Sequence, residues 1–159
     1  MNELMDLPTL RETLETMARD IAEGYKDELE RNGHYTTLCT LINSVRTRVE
    51  AGDRYYEVTM TLEDYWKYLE TGTRPHWPPP GPIARWIEIK PVIPRPDASG
   101  RIPSVKSLEY LIRRKIARVG TEGTHDLEKT KDAVITAYRD RIEAALRHDM
   151  YDNILKVLH

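Results

Sequence analysis

Phenylalanine is absent from the chain, and cysteine occurs once, as Cys39. A lone cysteine excludes an internal disulfide and any zinc site built from several thiolates. No stretch approaches the ~18 consecutive apolar residues that a membrane-spanning helix needs. Glu3 and Asp6 precede any lysine or arginine, and no apolar run follows, so no secretory signal is expected. Charge of one sign is not in excess: 24 basic against 26 acidic residues leave a net −2. That balance excludes a polybasic nucleic-acid binder over the whole chain. Glycine-rich phosphate loops, Gly-x-Ser-x-Gly elbows and paired-carboxylate signatures are also missing.

What is present is a globular composition on the polar side, 40% hydrophobic and 31% charged over 159 residues. That length suits a single domain, 1–159. Nine tyrosines and three tryptophans are the only aromatics. Their polar atoms need partners when buried, which favours rims and interfaces.

Residues 9–33 read as a helix, because Leu10, Leu14, Met17, Ile21, Tyr25 and Leu29 recur at three- or four-residue steps on one face. Thr9 with Glu12 suggests a capping box, Asn32-Gly33 a stop, and the acids of this segment a solvated face. Residues 38–62 read as a β-hairpin. Val45, Thr47 and Val49 alternate with charged residues, as do Tyr56, Val58, Met60 and Leu62 with polar ones, around Gly52-Asp53. Leu38–Asn43 fits either a strand extension or a helical turn.

All prolines but Pro8 fall in 75–103. Arg74 to Pro82 is therefore expected outside helix and central strand, with a short helix over Ile83–Lys90 opened by Pro82 and ended by Pro91. Residues 91–103 read as a surface loop. Ser104 caps a basic helix over 104–119, with Leu108, Ile112 and Ile116 as its apolar stripe and Gly120 as its stop. A long amphipathic helix follows over 126–159, with Asp152-Asn153 as a candidate break.

Arg113, Arg114, Lys115 and Arg118 form a basic patch on the 104–119 helix. It suits contact with phosphate or an acidic partner. It also suits a solvated face opposite the apolar stripe, paired with the acidic first helix, and the absence of a base-reading motif favours that reading. His125-Asp126 and His148-Asp149 suggest metal ligands, with His34 and His76 elsewhere. Adjacent residues on a helix point about 100° apart, however, so a dipeptide does not make a site. Cys39 lacks a recognisable catalytic partner and reads as a small buried thiol. Pro75-x-x-Pro78 and Pro79-x-x-Pro82 match a polyproline ligand, but Trp77 and the apolar helix that follows favour a loop packed on its own domain.

The stretch from Asp64 to Pro79 resembles the signature of the neck or tail-completion family of long-tailed bacteriophages, minor tail or head–tail joining components. Its members read aromatic-x-x-Tyr-(Val/Leu)-Glu-x-Gly-Thr, then His-aromatic-Pro-Pro, then a short helix containing tryptophan. Tyr65, Tyr68, Leu69, Glu70, Gly72 and Thr73 fill the first part; His76, Trp77, Pro78 and Pro79 fill the second; Trp86 lies in the third. Leu41-Ile42-Asn43-Ser44-Val45 is similar to the opening of the family's first strand, and Leu111 to Thr121 to its basic helix ending in Gly-Thr. The likeness spans roughly residues 35–127. Gly123-Thr124-His125-Asp126-Leu127 stands where the family carries a Pro-Phe-Leu-like segment, and the 91–103 loop and long C-terminal helix look like additions.

The resemblance implies a structural virion protein without enzymatic activity, cofactor or metal. It would form a homo-oligomeric ring around the DNA channel, with other neck or tail proteins as neighbours, after assembly in the host cytoplasm. The motif residues would contribute to interfaces, with an internal corner the alternative at Tyr68 and Gly72. The rival functions are a nucleic-acid-binding phage accessory protein using 101–118 and a metal-dependent hydrolase using the His-Asp pairs. The expected fold is α+β: a small, mainly antiparallel sheet packed against the N-terminal helix and the central 104–119 helix, with a long C-terminal helix beside it.

Overall fold

A computed structural model describes residues 7–32, 39–52, 55–89, 94–96 and 98–158. It is an α+β structure. Its backbone is an antiparallel pair of long helices, α1 (Pro8–Arg31) and α6 (Asp126–Leu158). A two-stranded hairpin of β1 (Arg46–Ala51) and β2 (Tyr56–Thr61) lies against α1.

The apolar stripe of α1 behaves as its spacing requires. Leu10, Met17, Ile21, Tyr25 and Leu29 are buried, and Leu14 is half-buried. Part of the stripe, Met17 and Ile21, packs with Tyr138 of α6. The part formed by Ala22, Tyr25 and Leu29 packs with Leu41 and Val45 at the foot of the hairpin. The expected capping box of Thr9 and Glu12 does not form. Pro8 opens the helix, where a missing N–H is no loss, and Leu7 before it offers no side-chain cap. The acceptor comes from the other long helix: the Asp149 carboxylate receives the N–H of Leu10 at 2.8 Å and of Thr9 at 3.2 Å. Helix-end donors covered by a neighbour must be satisfied by that neighbour.

At the far end of the pair, the Asn32 amide donates to the Asp126 carboxylate at 2.8 Å. The same number of residues separates Asp126 from Asp149 as separates Thr9 from Asn32, so the two contacts hold the helices in antiparallel register. Gly33, the expected stop, lies outside the described residues. The acids of α1 are largely exposed as expected, and one of them, Asp20, also accepts a hydrogen bond from the Tyr138 hydroxyl. This bond holds that hydroxyl above its ordinary pKa.

The open choice at 38–43 resolves to a short helix, α2 (Cys39–Ser44); Leu38 lies outside the described residues. The strands pair as the alternation predicts, with Thr47 opposite Met60 and Val49 opposite Val58. Gly52 N–H closes the turn on the Tyr55 carbonyl at 2.8 Å.

Three differences mark the middle of the chain. A helix, α3 (Trp66–Thr71), stands where a loop was expected. The next helix, α4 (Pro80–Ile89), begins at Pro80, so Pro80-Gly81-Pro82 are helical after all. Prolines fit a first turn, whose N–H groups have no intrahelical acceptor. The basic helix α5 (Val105–Val119), capped by the Ser104 hydroxyl on Ser107 N–H at 3.2 Å, takes α4 as its main packing partner rather than the sheet. The apolar face of the preceding helix wins over the more distant hairpin. As a result Leu108, Ile112 and Ile116 are half-buried, and α5 has no fully buried residue. Helix α6 runs unbroken through Asp152-Asn153, where the Asn153 amide donates to the Asp149 carbonyl at 2.9 Å. No helix among the described residues is long and apolar enough to cross a membrane.

Candidate functional site

The motif residues converge on a junction of two Gly-Thr dipeptides. Helix α3 ends at Gly72 and α5 ends at Gly120, with φ +71 and +74. Such positive φ angles suit glycine because no Cβ is present to clash. Each glycine turns the chain into a short extended segment, and the two segments meet. Thr73 and Thr121 exchange backbone hydrogen bonds at 3.0 and 3.1 Å, and their hydroxyls lie 2.9 Å apart. The pairing continues as Thr124 N–H donates to the Leu69 carbonyl at 2.8 Å.

The contact is too close for side chains. A Cβ on Gly72 would stand 2.0 Å from the Thr121 oxygen. One on Gly120 would stand 2.0 Å from the Thr73 oxygen, and one on Gly123 would stand 2.0 Å from the Glu70 oxygen. Glycine is therefore required on both sides of the junction.

Glu70, in the last turn of α3, is buried and faces the start of α6. Its carboxylate accepts from Leu127 N–H at 2.8 Å and from Glu128 N–H at 3.4 Å. A negative charge is stabilised at a helix amino terminus by the free N–H groups and the helix dipole. Tyr65 is tied inward as well, its hydroxyl oxygen accepting Leu41 N–H at 3.1 Å. Gly72 thus takes the internal-corner alternative, and Tyr65 and Glu70 turn inward within the chain. They are spent on joining α2, α3, α5 and α6. Burial, with Glu70, Asp126 and Tyr65 nearby, pushes the Tyr25 hydroxyl far above its ordinary pKa. That hydroxyl has no hydrogen-bond partner among the described residues.

Beyond Thr73 the motif comes to the surface. Tyr68 and His76 are exposed and border one open hollow with Lys67 and Arg74. Trp77 is 52% exposed. Its ring meets Tyr110 edge-on at 6.0 Å and carries the Arg113 guanidinium 5.1 Å from its centroid. Pro78 is buried, and its carbonyl accepts from Arg113 Nε at 2.8 Å. Arg113 also lies 3.6 Å from Glu109. Its place in the exposed basic patch is therefore corrected: it clamps the proline segment onto α5. The polyproline-ligand reading fails on the same contacts, because Pro78 is covered and Pro80 and Pro82 are helical. Arg114, Lys115 and Arg118 remain exposed, while Trp86 is half-buried beside Ile112 and Ile116.

Both aspartates of the His-Asp pairs are occupied with structure. Asp126 binds Asn32, and Asp149 caps α1. His125 lies 3.2 Å from Glu128, and His148 lies 3.6 Å from Asp149. Burial alone would push the Asp149 carboxyl up. Hydrogen bonds from Thr9, from the N–H groups of Leu10 and Thr9, and from His148 outweigh it and hold the group below its ordinary value. Among the described residues, no three His, Cys, Asp or Glu side chains gather to hold a metal ion. His34 and the Cys39 side chain lie outside them.

Sequence reasoning missed the capping role of Asp149 and the need for Gly123; for Glu70 it allows backbone amides or a subunit's arginine as partner, and the structure supplies backbone amides. One signal was in view: Gly-Thr occurs at 72–73, 120–121 and 123–124. Fold and junction together define an α+β chain whose Gly-Thr motif is an internal weld with an exposed aromatic margin. No family model, curated protein or solved structure matches the chain.

Proposed function

We propose that this chain is a structural virion protein of a long-tailed phage, acting in tail completion or head–tail joining as one subunit of a ring around the DNA channel. The pairing of Gly72-Thr73 with Gly120-Thr121 carries this reading. The two segments that bear the family likeness are 48 residues apart at Thr73 and Thr121, yet they are hydrogen-bonded into one unit. Such a unit holds Tyr68, His76 and Trp77 outward in fixed positions, as a subunit contact needs. The reading calls for no catalysis, cofactor or metal.

Cryo-electron microscopy of the encoding phage tests it. The expected result is a ring of this chain between capsid connector and tail, with the Tyr68–Trp77 margin at a protein contact. A particle lacking the chain, or one with that margin and the 94–103 loop free of contacts, overturns it. The exposed Arg114, Lys115 and Arg118 support a second reading, a nucleic-acid-binding accessory protein. Strong DNA affinity of the isolated protein, falling steeply with salt, would favour it.

A further inference from the structure

Two exposed apolar surfaces among the described residues lie at opposite ends of α6. One is the carboxyl-terminal end of α6. Helix α1 stops at Pro8, beside Asp149, so the last two turns of α6 extend beyond it. There Met150, Tyr151, Ile154, Leu155, Val157 and Leu158 are all exposed, Val157 at 86% and Leu158 at 73%. Tyr151, Ile154, Leu155 and Leu158 follow helical spacing and form one stripe. The other surface is an apolar groove between α4 and α5, lined by Ile83, Trp86, Ile112, Ile116 and Val119, with Lys115 and Glu122 at its edge.

We infer that the α6 end of one copy docks in the α4–α5 groove of the next copy of this chain. Three observations select this occupant. A helix end that projects two turns has the width and apolar stripe that a two-helix groove receives. The last carbonyls of α6 have no intrahelical donors and give this end partial negative charge, with Lys156 the cation of its last turn. The exposed cations Arg114, Lys115 and Arg118 stand beside the groove to meet it.

The third observation is distance. The groove reaches Gly120 and Glu122, a few residues before α6 starts at Asp126. Met150 lies about 36 Å along α6 from Asp126 at 1.5 Å per residue. A chain therefore cannot fill its own groove with its own helix end. Different surfaces at opposite ends make a head-to-tail contact, which closes into a ring when the rotation allows. The inference rests on the assembly reading above and names its two contacting surfaces.

Two variants at exposed positions test it: Ile154→Asp with Leu158→Asp at the helix end, and Lys115→Glu with Val119→Asp at the groove. Circular dichroism and thermal unfolding should show both folded like the parent protein. Light scattering and sedimentation should show the parent self-associating with concentration. Each variant alone should associate about thirtyfold or more weakly. Mixed in equal amounts, they should form a one-to-one pair and nothing larger, because one retains the groove and the other the helix end.

A parent protein that stays monomeric at millimolar concentration overturns the inference. So does a mixture that stays monomeric, or a groove variant that associates like the parent while the helix-end variant does not. The last outcome would mean that the helix end pairs with itself. Association that survives both variants also overturns this contact, while a ring seen in the phage neck would leave the assembly reading standing.

Discussion

Glu70 and Leu127, 57 residues apart in the chain, are joined by a 2.8 Å hydrogen bond from the backbone of one to the buried carboxylate of the other. This bond fixes where α6 begins relative to α3. Glu70→Ala removes the acceptor and leaves helix-end donors buried, and should cost roughly 1–3 kcal/mol. Glu70→Gln keeps an oxygen for Leu127 and should cost less. Urea unfolding of the three proteins checks the order; equal stability of all three would show that the cap contributes nothing.

Asp149 makes stability depend on pH in a known direction. Its carboxyl sits below the ordinary value when folded, so its contribution is present above the unfolded value, about 3.9. It is lost as pH falls through the lower folded value. The parent protein should therefore lose stability between about pH 5 and 3 faster than Asp149→Asn, which already lacks the charge. At pH 7 the variant should be weaker by roughly 1–2 kcal/mol. Parallel stability curves over that range would refute this role.

Three glycine substitutions separate close approach from conformation. Gly72→Ala meets the Thr121 oxygen and needs positive φ, so it should cost upwards of about 3 kcal/mol or prevent folding. Gly100→Ala meets nothing within 4 Å but keeps φ +79, so only the strain of about 1 kcal/mol is expected. Gly81→Ala, open and helical, should be neutral or gain up to about 1 kcal/mol. Thermal unfolding of the set reads out the ranking.

The arginines of α5 should divide. Arg113→Ala breaks the link to Pro78 and uncovers Trp77, for an expected loss of roughly 1–2 kcal/mol. Arg114→Gln with Arg118→Gln alters only exposed charge and should stay within about 0.5 kcal/mol. Ile112→Ala, at a half-buried site, should cost about 1–2 kcal/mol, below the 2–5 typical of a full core position. Comparable losses for Arg113 and the Arg114/Arg118 pair would mean that the helix face is misassigned.

Whatever depends on near neighbours was legible in the order of the residues. The stripe of α1 from Leu10 to Leu29, the alternation of β1 and β2, and the limits of α5 at Ser104 and Gly120 all follow from spacing and from capping within a turn. Such periodicities belong to the residues themselves. Long-range packing settled the remainder. Thr9 looked like the local cap of α1, but Asp149 takes that place from 139 residues away. Arg113 looked like its exposed neighbours until Pro78 and Trp77 covered it. Glu70 and Gly72 could equally have lined an interface, and became internal only because α3 and α5 end side by side. In each case the deciding partner is distant in the chain. The energy that selects it, satisfying a buried donor or excluding a Cβ, exists only once the helices have packed.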